Sequence, residues 1–160
     1  MKTNSRLRST WTLATVLAAF AITAVAQQLV PLKGSLQGDD SDTFVSANTI
    51  IVTTVGTGNS THLGKFSFTL ENTLTIDQGT TEGTIELVAA NGDTLFGTTA
   101  GSGTFTPAGT IQITESVTIT GGTGRFEGAH GSITINRVAS PVTFTTEGFF
   151  DGFVTSPGRR

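Results

Sequence analysis

From Leu29 onward, short apolar or alternating runs recur between clusters of Gly, Asn and Asp. No window carries apolar residues at three- and four-residue spacing over a helical length. Alternation with a period of two sends successive side chains to opposite faces of a strand. The chain therefore reads as eight strands: Leu29–Leu36, Ala47–Val55, Lys65–Ile76, Thr84–Ala90, Thr94–Gly101, Thr110–Thr120, Ser132–Val138 and Val142–Val154. Asn91-Gly92, between the fourth and fifth, suits the positive φ angles of a tight hairpin turn. The connections are short, as in an antiparallel meander. Eight strands in so small a chain must hide their edges, either in two packed sheets or by closing a barrel, and periodicity leaves both open. A closed barrel of eight has an interior just wide enough for side chains or one small ligand.

Polar residues interrupt the apolar faces in three places. Along Thr110–Thr120, the residues Ile111, Ile113, Val117 and Ile119 share one face, and Glu115 lies among them. A carboxylate there is costly unless paired, hydrogen-bonded or neutral. Arg137 occupies the same face as Ile133 and Ile135. If these two strands pair about a centre at Phe126, Ile119 stands opposite Ile133, Val117 opposite Ile135 and Glu115 opposite Arg137, so acid meets base on the inner face. The third interruption is Asn72, in a face otherwise made of Phe66, Phe68, Leu70 and Leu74. Glu115 and Arg137 serve either as a structural ion pair at a barrel mouth or as polar anchors that orient a ligand.

The N-terminus changes the charge and the compartment. Lys2, Arg6 and Arg8 precede an uncharged apolar run from Trp11 to Val25, followed by Ala24-Val25-Ala26. That order is expected of a Sec signal peptide spanning residues 1–26, leaving a single domain over 27–160 that is secreted or periplasmic. The run is too short and too threonine-broken for a membrane span of ~20 residues. Cleavage leaves 134 residues with six basic and twelve acidic side chains, a balance of −6, which argues against nucleic acid or an anionic membrane as partner. With no cysteine, no disulfide can support a poor core. The 27 threonines and 20 glycines after Ala26 fit half-wet strands with turns and bulges.

Other signals are weaker. His62 and His130 lack a third nearby ligand, so no metal site is expected. Asp39, Asp40 and Asp42 read as a solvated loop. Asn59-Ser60-Thr61 fits the glycosylation acceptor pattern. No Ser-His-Asp order, phosphate loop or glycosidase carboxylate pair stands out.

The segment Ile119-Thr120-Gly121-Gly122-Thr123-Gly124-Arg125-Phe126-Glu127-Gly128-Ala129-His130-Gly131 resembles the Gly-Gly-x-Gly-x-Phe-x-Gly-x-x-Gly stretch of plant allene oxide cyclases, of which dirigent proteins carry a related form. The rest of the mature chain, including Gly58–Gly64 and Asn91–Phe96, looks like a group of exported bacterial proteins with that barrel. The resemblance implies an eight-stranded antiparallel closed barrel, calycin-like, with an apolar cavity. In the plant enzymes this cavity cyclises a fatty-acid epoxide, and in dirigent proteins it steers radical coupling. The cyclase's catalytic glutamate comes from an early strand, but Leu29–Leu36 contains no acid, so that role does not transfer. The glycines also have a physical reading: they permit a tight passage between strands that lets Phe126 fold back and plug one barrel end.

The leading expectation is a secreted barrel that binds a small apolar or amphipathic molecule, with Phe66, Phe68 and Leu70 in the wall and Glu115, Arg137 and Asn72 as polar anchors. It requires an interior cavity of roughly a few hundred Å³. A second is a cofactor-free cyclase or isomerase with Glu115 in the catalytic role. A third is a non-catalytic surface protein acting through its exterior, as a homo-oligomer.

Overall fold

The computed structural model describes residues 28–155 together with 157 and 158. The expected signal over 1–26 lies outside the described residues. Eight antiparallel strands close into one barrel: β1 (Leu29–Ser46), β2 (Thr49–Ser60), β3 (Gly64–Thr75), β4 (Thr80–Ala89), β5 (Thr94–Phe105), β6 (Ile111–Gly122), β7 (Gly131–Ser140) and β8 (Thr145–Thr155). Each strand pairs with the next, and β8 pairs back onto β1 from Leu29↔Thr155 to Asp39↔Thr145. Closure leaves no edge along the body of the sheet.

Most strands are longer than the sequence pattern indicates; β3 keeps its expected twelve residues, and β8 begins only at Thr145, because the expected start at Val142 lies in the β7–β8 turn. β1 continues ten residues past Leu36, through Gly38 and the three aspartates, because β8 supports it as far as Asp39 and β2 pairs with it as far as Ser46↔Thr49. Two ladders of backbone hydrogen bonds outweigh the poor strand propensity of Gly and Asp. Similarly, β2 runs on through Gly56 and Gly58, and β5 reaches Phe105.

One end of the barrel is sealed. Between β6 and β7 the chain turns through one 3₁₀ turn, Gly124–Phe126, which buries Phe126 to 1% exposure. Phe126 folds against Gly122, where an added Cβ would lie 2.6 Å from the Phe126 Cβ. Arg125 holds the plug from outside: its Nε donates to Asp93 Oδ2 at 2.8 Å, and its guanidinium lies 5.4 Å from the Phe126 ring centroid. Beneath the plug, Leu32, Leu63, Leu95, Ile119, Ile133 and Val154 join Phe66, Phe68, Leu70, Leu87, Ile135 and Phe150 in one continuous core. The ring of Phe150 stands edge-on to that of Phe66 at 6.0 Å. Glycines make room for these rings, since a Cβ at Gly34 would meet Phe150 Cζ at 2.7 Å and one at Gly56 would meet Phe68 Cε1 at 2.7 Å. A barrel of eight has too narrow a lumen for a large side chain at every inward position, so large and small must alternate around it.

Phe66, Phe68 and Leu70, expected in the wall of an apolar cavity, belong to this core. All three are at most 4% exposed, packed within the core.

Candidate functional site

Toward the open end, where the β1–β2, β3–β4, β5–β6 and β7–β8 connections lie, the apolar core gives way to a belt of buried polar side chains. Each arrives by strand alternation, two residues beyond a core residue: Asn72 follows Leu70 on β3, and Arg137 follows Ile135 on β7. Glu115, two residues before Val117 on β6, is fully buried, Arg137 is 5% exposed and Asn72 1%. Arg137 grips Glu115 with a fork, Nε donating to Oε2 at 2.9 Å and Nη2 to Oε1 at 3.3 Å. Asn72 Nδ2 donates to Glu115 Oε1 at 2.5 Å, and Thr99 of β5 donates to Asn72 Oδ1 at 2.6 Å. From the other side of the guanidinium, Nη1 donates to Thr146 Oγ1 at 3.3 Å and lies 3.9 Å from Asp40 Oδ1. Thr54 of β2 donates to that same Asp40 oxygen at 2.5 Å. Seven strands thus contribute to one connected network, and the eighth, β4, contributes Thr81, whose buried Oγ1 has no hydrogen-bond partner.

The ion pair forms with a register different from the expected one. Glu115 stands opposite Ile135, and Arg137 opposite Ile113, a shift of two residues. The 3₁₀ turn centres the β6–β7 connection on Arg125 rather than Phe126. An even shift keeps every side chain on its face, and the long arginine side chain reaches diagonally to the carboxylate. Directly opposite the three central polar residues are glycines: Gly83 opposite Asn72, Gly101 opposite Glu115 and Gly148 opposite Arg137. A Cβ at Gly101 would fall 2.6 Å from Glu115 Cγ, and one at Gly148 would fall 2.7 Å from Arg137 Cβ. These glycines supply the space in which the charged belt folds over.

Asp40 was not among the site residues that sequence pattern selects, and its placement corrects the reading of Asp39, Asp40 and Asp42 as a loop. All three lie in β1; Asp39 and Asp42 are exposed, while Asp40 turns inward. Burial pushes its carboxyl above the ordinary carboxylate range, helped by the nearby charges of Asp42 and Glu115, while the Thr54 hydrogen bond and Arg137 act in the opposite direction. The signal was present in the alternation Leu32, Leu36, Asp40 along one face, but the Gly-Asp composition concealed it.

Above the belt is a partly enclosed cavity of about 100 Å³. Asp40, Asn72, Arg137 and Thr81 form its polar floor, and Val52, Leu74, Ile111, Ile113 and Ala139 its apolar wall. Phe144, from the β7–β8 turn, lies at its rim in the left-handed region with φ of 54°. A bulky residue is rare there, and such strain persists only where the surroundings fix it. Here the backbone is pinned at both groups: Phe144 N donates to Ser140 O at 2.8 Å, and Phe144 O accepts from Asp40 N at 2.7 Å. A wider, open groove of about 1050 Å³ is lined by the exposed Gln37, Asn59, Lys65 and Glu147 together with the buried Leu36, Phe66 and Arg137. Among the described residues, no group of three His, Cys, Asp or Glu is placed to hold a metal ion.

The architecture is thus a filled eight-stranded antiparallel barrel, plugged at one end and charged beneath the other. No family model matches the chain, and no curated protein matches it. Among solved structures it is similar to a pterocarpan synthase dirigent protein, with a TM-score of 0.59 and 14% identity over 90% of this chain and 99% of that one. At this identity the likeness shows the fold, a dirigent-like barrel.

Proposed function

We propose that the open mouth binds the polar end of a small amphipathic molecule. The observation that carries this reading is the unpaired, buried hydroxyl of Thr81 in a cavity whose other buried polar groups, Asn72 and Arg137, are already engaged. A buried hydroxyl without a partner costs roughly 1–3 kcal/mol, and a ligand group that bonds to it removes the cost. At about 100 Å³ the cavity admits a headgroup or a single ring, while the rest of the ligand extends past Phe144 to the rim. The guanidinium of Arg137 is occupied by Glu115 and Thr146 and stands near Asp40, so the arrangement favours a neutral hydroxyl or carbonyl over a carboxylate.

A second reading, a cofactor-free cyclase or isomerase, draws support from Asp40. A carboxyl that burial at a cavity floor makes hold its proton more tightly is suited to proton transfer. In this reading Asp40 faces the ligand, whereas Glu115 lies behind Arg137, holding it in place. Fold likeness to a dirigent protein is compatible with either reading.

Native mass spectrometry of the mature protein from its own medium tests the proposal. A retained small molecule that is lost on Leu74→Trp or Ile113→Trp substitution, with the barrel still folded, is the expected result. A protein that carries no ligand, and binds no member of a panel of neutral phenols, alcohols and ketones by calorimetry, would reject it. Turnover that disappears in Asp40→Asn while binding persists would establish the catalytic reading.

A further inference from the structure

The open end carries a second feature, outside the cavity. Each of its four connections presents an exposed apolar residue: Phe44 and Val45 at the β1–β2 hairpin, Ile76 after β3, Phe105 at the end of β5, and Val142 and Phe144 in the β7–β8 turn. Phe44, Phe105 and Val142 are 74%, 71% and 83% exposed. Hairpin tips ordinarily carry Gly, Asn, Asp and Ser, which satisfy turn geometry in water. Four neighbouring tips with large apolar side chains mark a surface that meets an apolar medium.

Charge selects which medium. Asp39, Asp42 and Asp77 are exposed around the same rim. The exposed cations among the described residues, Lys33 and Lys65, lie toward the plugged end, as does the half-buried Arg125, which is paired with Asp93, and Arg137 is buried in its network. An anionic surface would be repelled. The outermost group of a zwitterionic phospholipid, however, is an ammonium, which complements aspartates and the faces of Phe44, Phe105 and Phe144. The apolar residues sit on separate hairpins around an opening, not along one flat strand face, an arrangement that fits a fluid partner better than a rigid one.

We infer that the open rim docks on a zwitterionic lipid surface, with Phe44, Phe105 and Val142 inserted among the headgroups and Asp39, Asp42 and Asp77 facing their ammonium groups. This does not depend on what the cavity binds. Co-sedimentation of the mature protein with dioleoylphosphatidylcholine vesicles tests it, alongside vesicles in which half the lipid is dioleoylphosphatidylglycerol. The expected result is binding to the first, weakened about tenfold by the anionic lipid, and reduced about tenfold or more in the combined variant Phe44→Ser, Phe105→Ser, Val142→Ser. These tips are exposed, so the variant should retain wild-type unfolding. A Leu74→Trp protein should bind vesicles like wild type, separating this result from the fate of the cavity ligand. No binding to either vesicle, or equal binding by the tip variant, overturns the inference. A rim-dependent dimer in light scattering without lipid would reassign the rim to a second copy of the chain and overturn it as well.

Discussion

Removing one partner of the Glu115–Arg137 pair should be far more damaging than removing both. In Arg137→Met, the fully buried carboxylate of Glu115 loses both bonds of the guanidinium fork and keeps only the one from Asn72. An uncompensated buried charge of this kind costs about 3–5 kcal/mol. In Glu115→Gln, the guanidinium keeps Thr146 at 3.3 Å and gains influence over Asp40 at 3.9 Å, which puts the loss near the lower bound, about 3 kcal/mol. The double variant buries no unpaired charge. Its cost is the imperfect fit of the new amide and thioether, about 1–3 kcal/mol. The coupling in a double-mutant cycle is therefore expected to be about 3 kcal/mol or more. Urea unfolding followed by intrinsic fluorescence of phenylalanine or by circular dichroism gives each stability. With a urea slope of about 2 kcal/mol/M, each single variant should shift the midpoint by roughly 1.5 M or more, and the double should recover much of that. Losses that add to within about 0.5 kcal/mol would show that the two groups do not depend on each other, and the account of the belt would be wrong.

Asp40 gives a pH-dependent outcome. Because its folded carboxyl titrates above the unfolded value of 3.8, the folded state binds the extra proton, and this stability is present below that value and lost as pH rises through the raised folded one. The stability of wild type relative to Asp40→Asn should therefore fall as pH rises from about 4 and level off above the folded titration; a flat difference across that range would rule out the raised carboxyl. The glycines opposite the belt give a steric one. Gly101→Ala places a methyl 2.6 Å from Glu115 Cγ and should cost about 1–3 kcal/mol, whereas Gly103→Ala, with its nearest neighbour the flexible Ile111 Cγ2 at 3.1 Å, should cost clearly less. Thermal unfolding of the two side by side checks this, and equal melting temperatures would contradict it.

Much of this was legible along the chain because it depends on alternation. A two-residue period marked eight strands, and the same period placed Glu115, Arg137 and Asn72 on inward faces. The structure joins these three in one hydrogen-bonded network. The motif around Phe126 signalled a plug, since its glycines relieve backbone crowding locally. Tertiary structure decided the rest. The length of β1, and with it the inward placement of Asp40, depends on ladders from β2 and β8, which no local propensity reports. The two-residue register between β6 and β7 depends on how the intervening turn closes. Whether the interior is open or filled depends on how the core side chains and their facing glycines share a lumen, a sum over all eight strands. Alternation fixes the face a side chain takes, because that is a property of one strand; what it meets there is a property of the closed barrel.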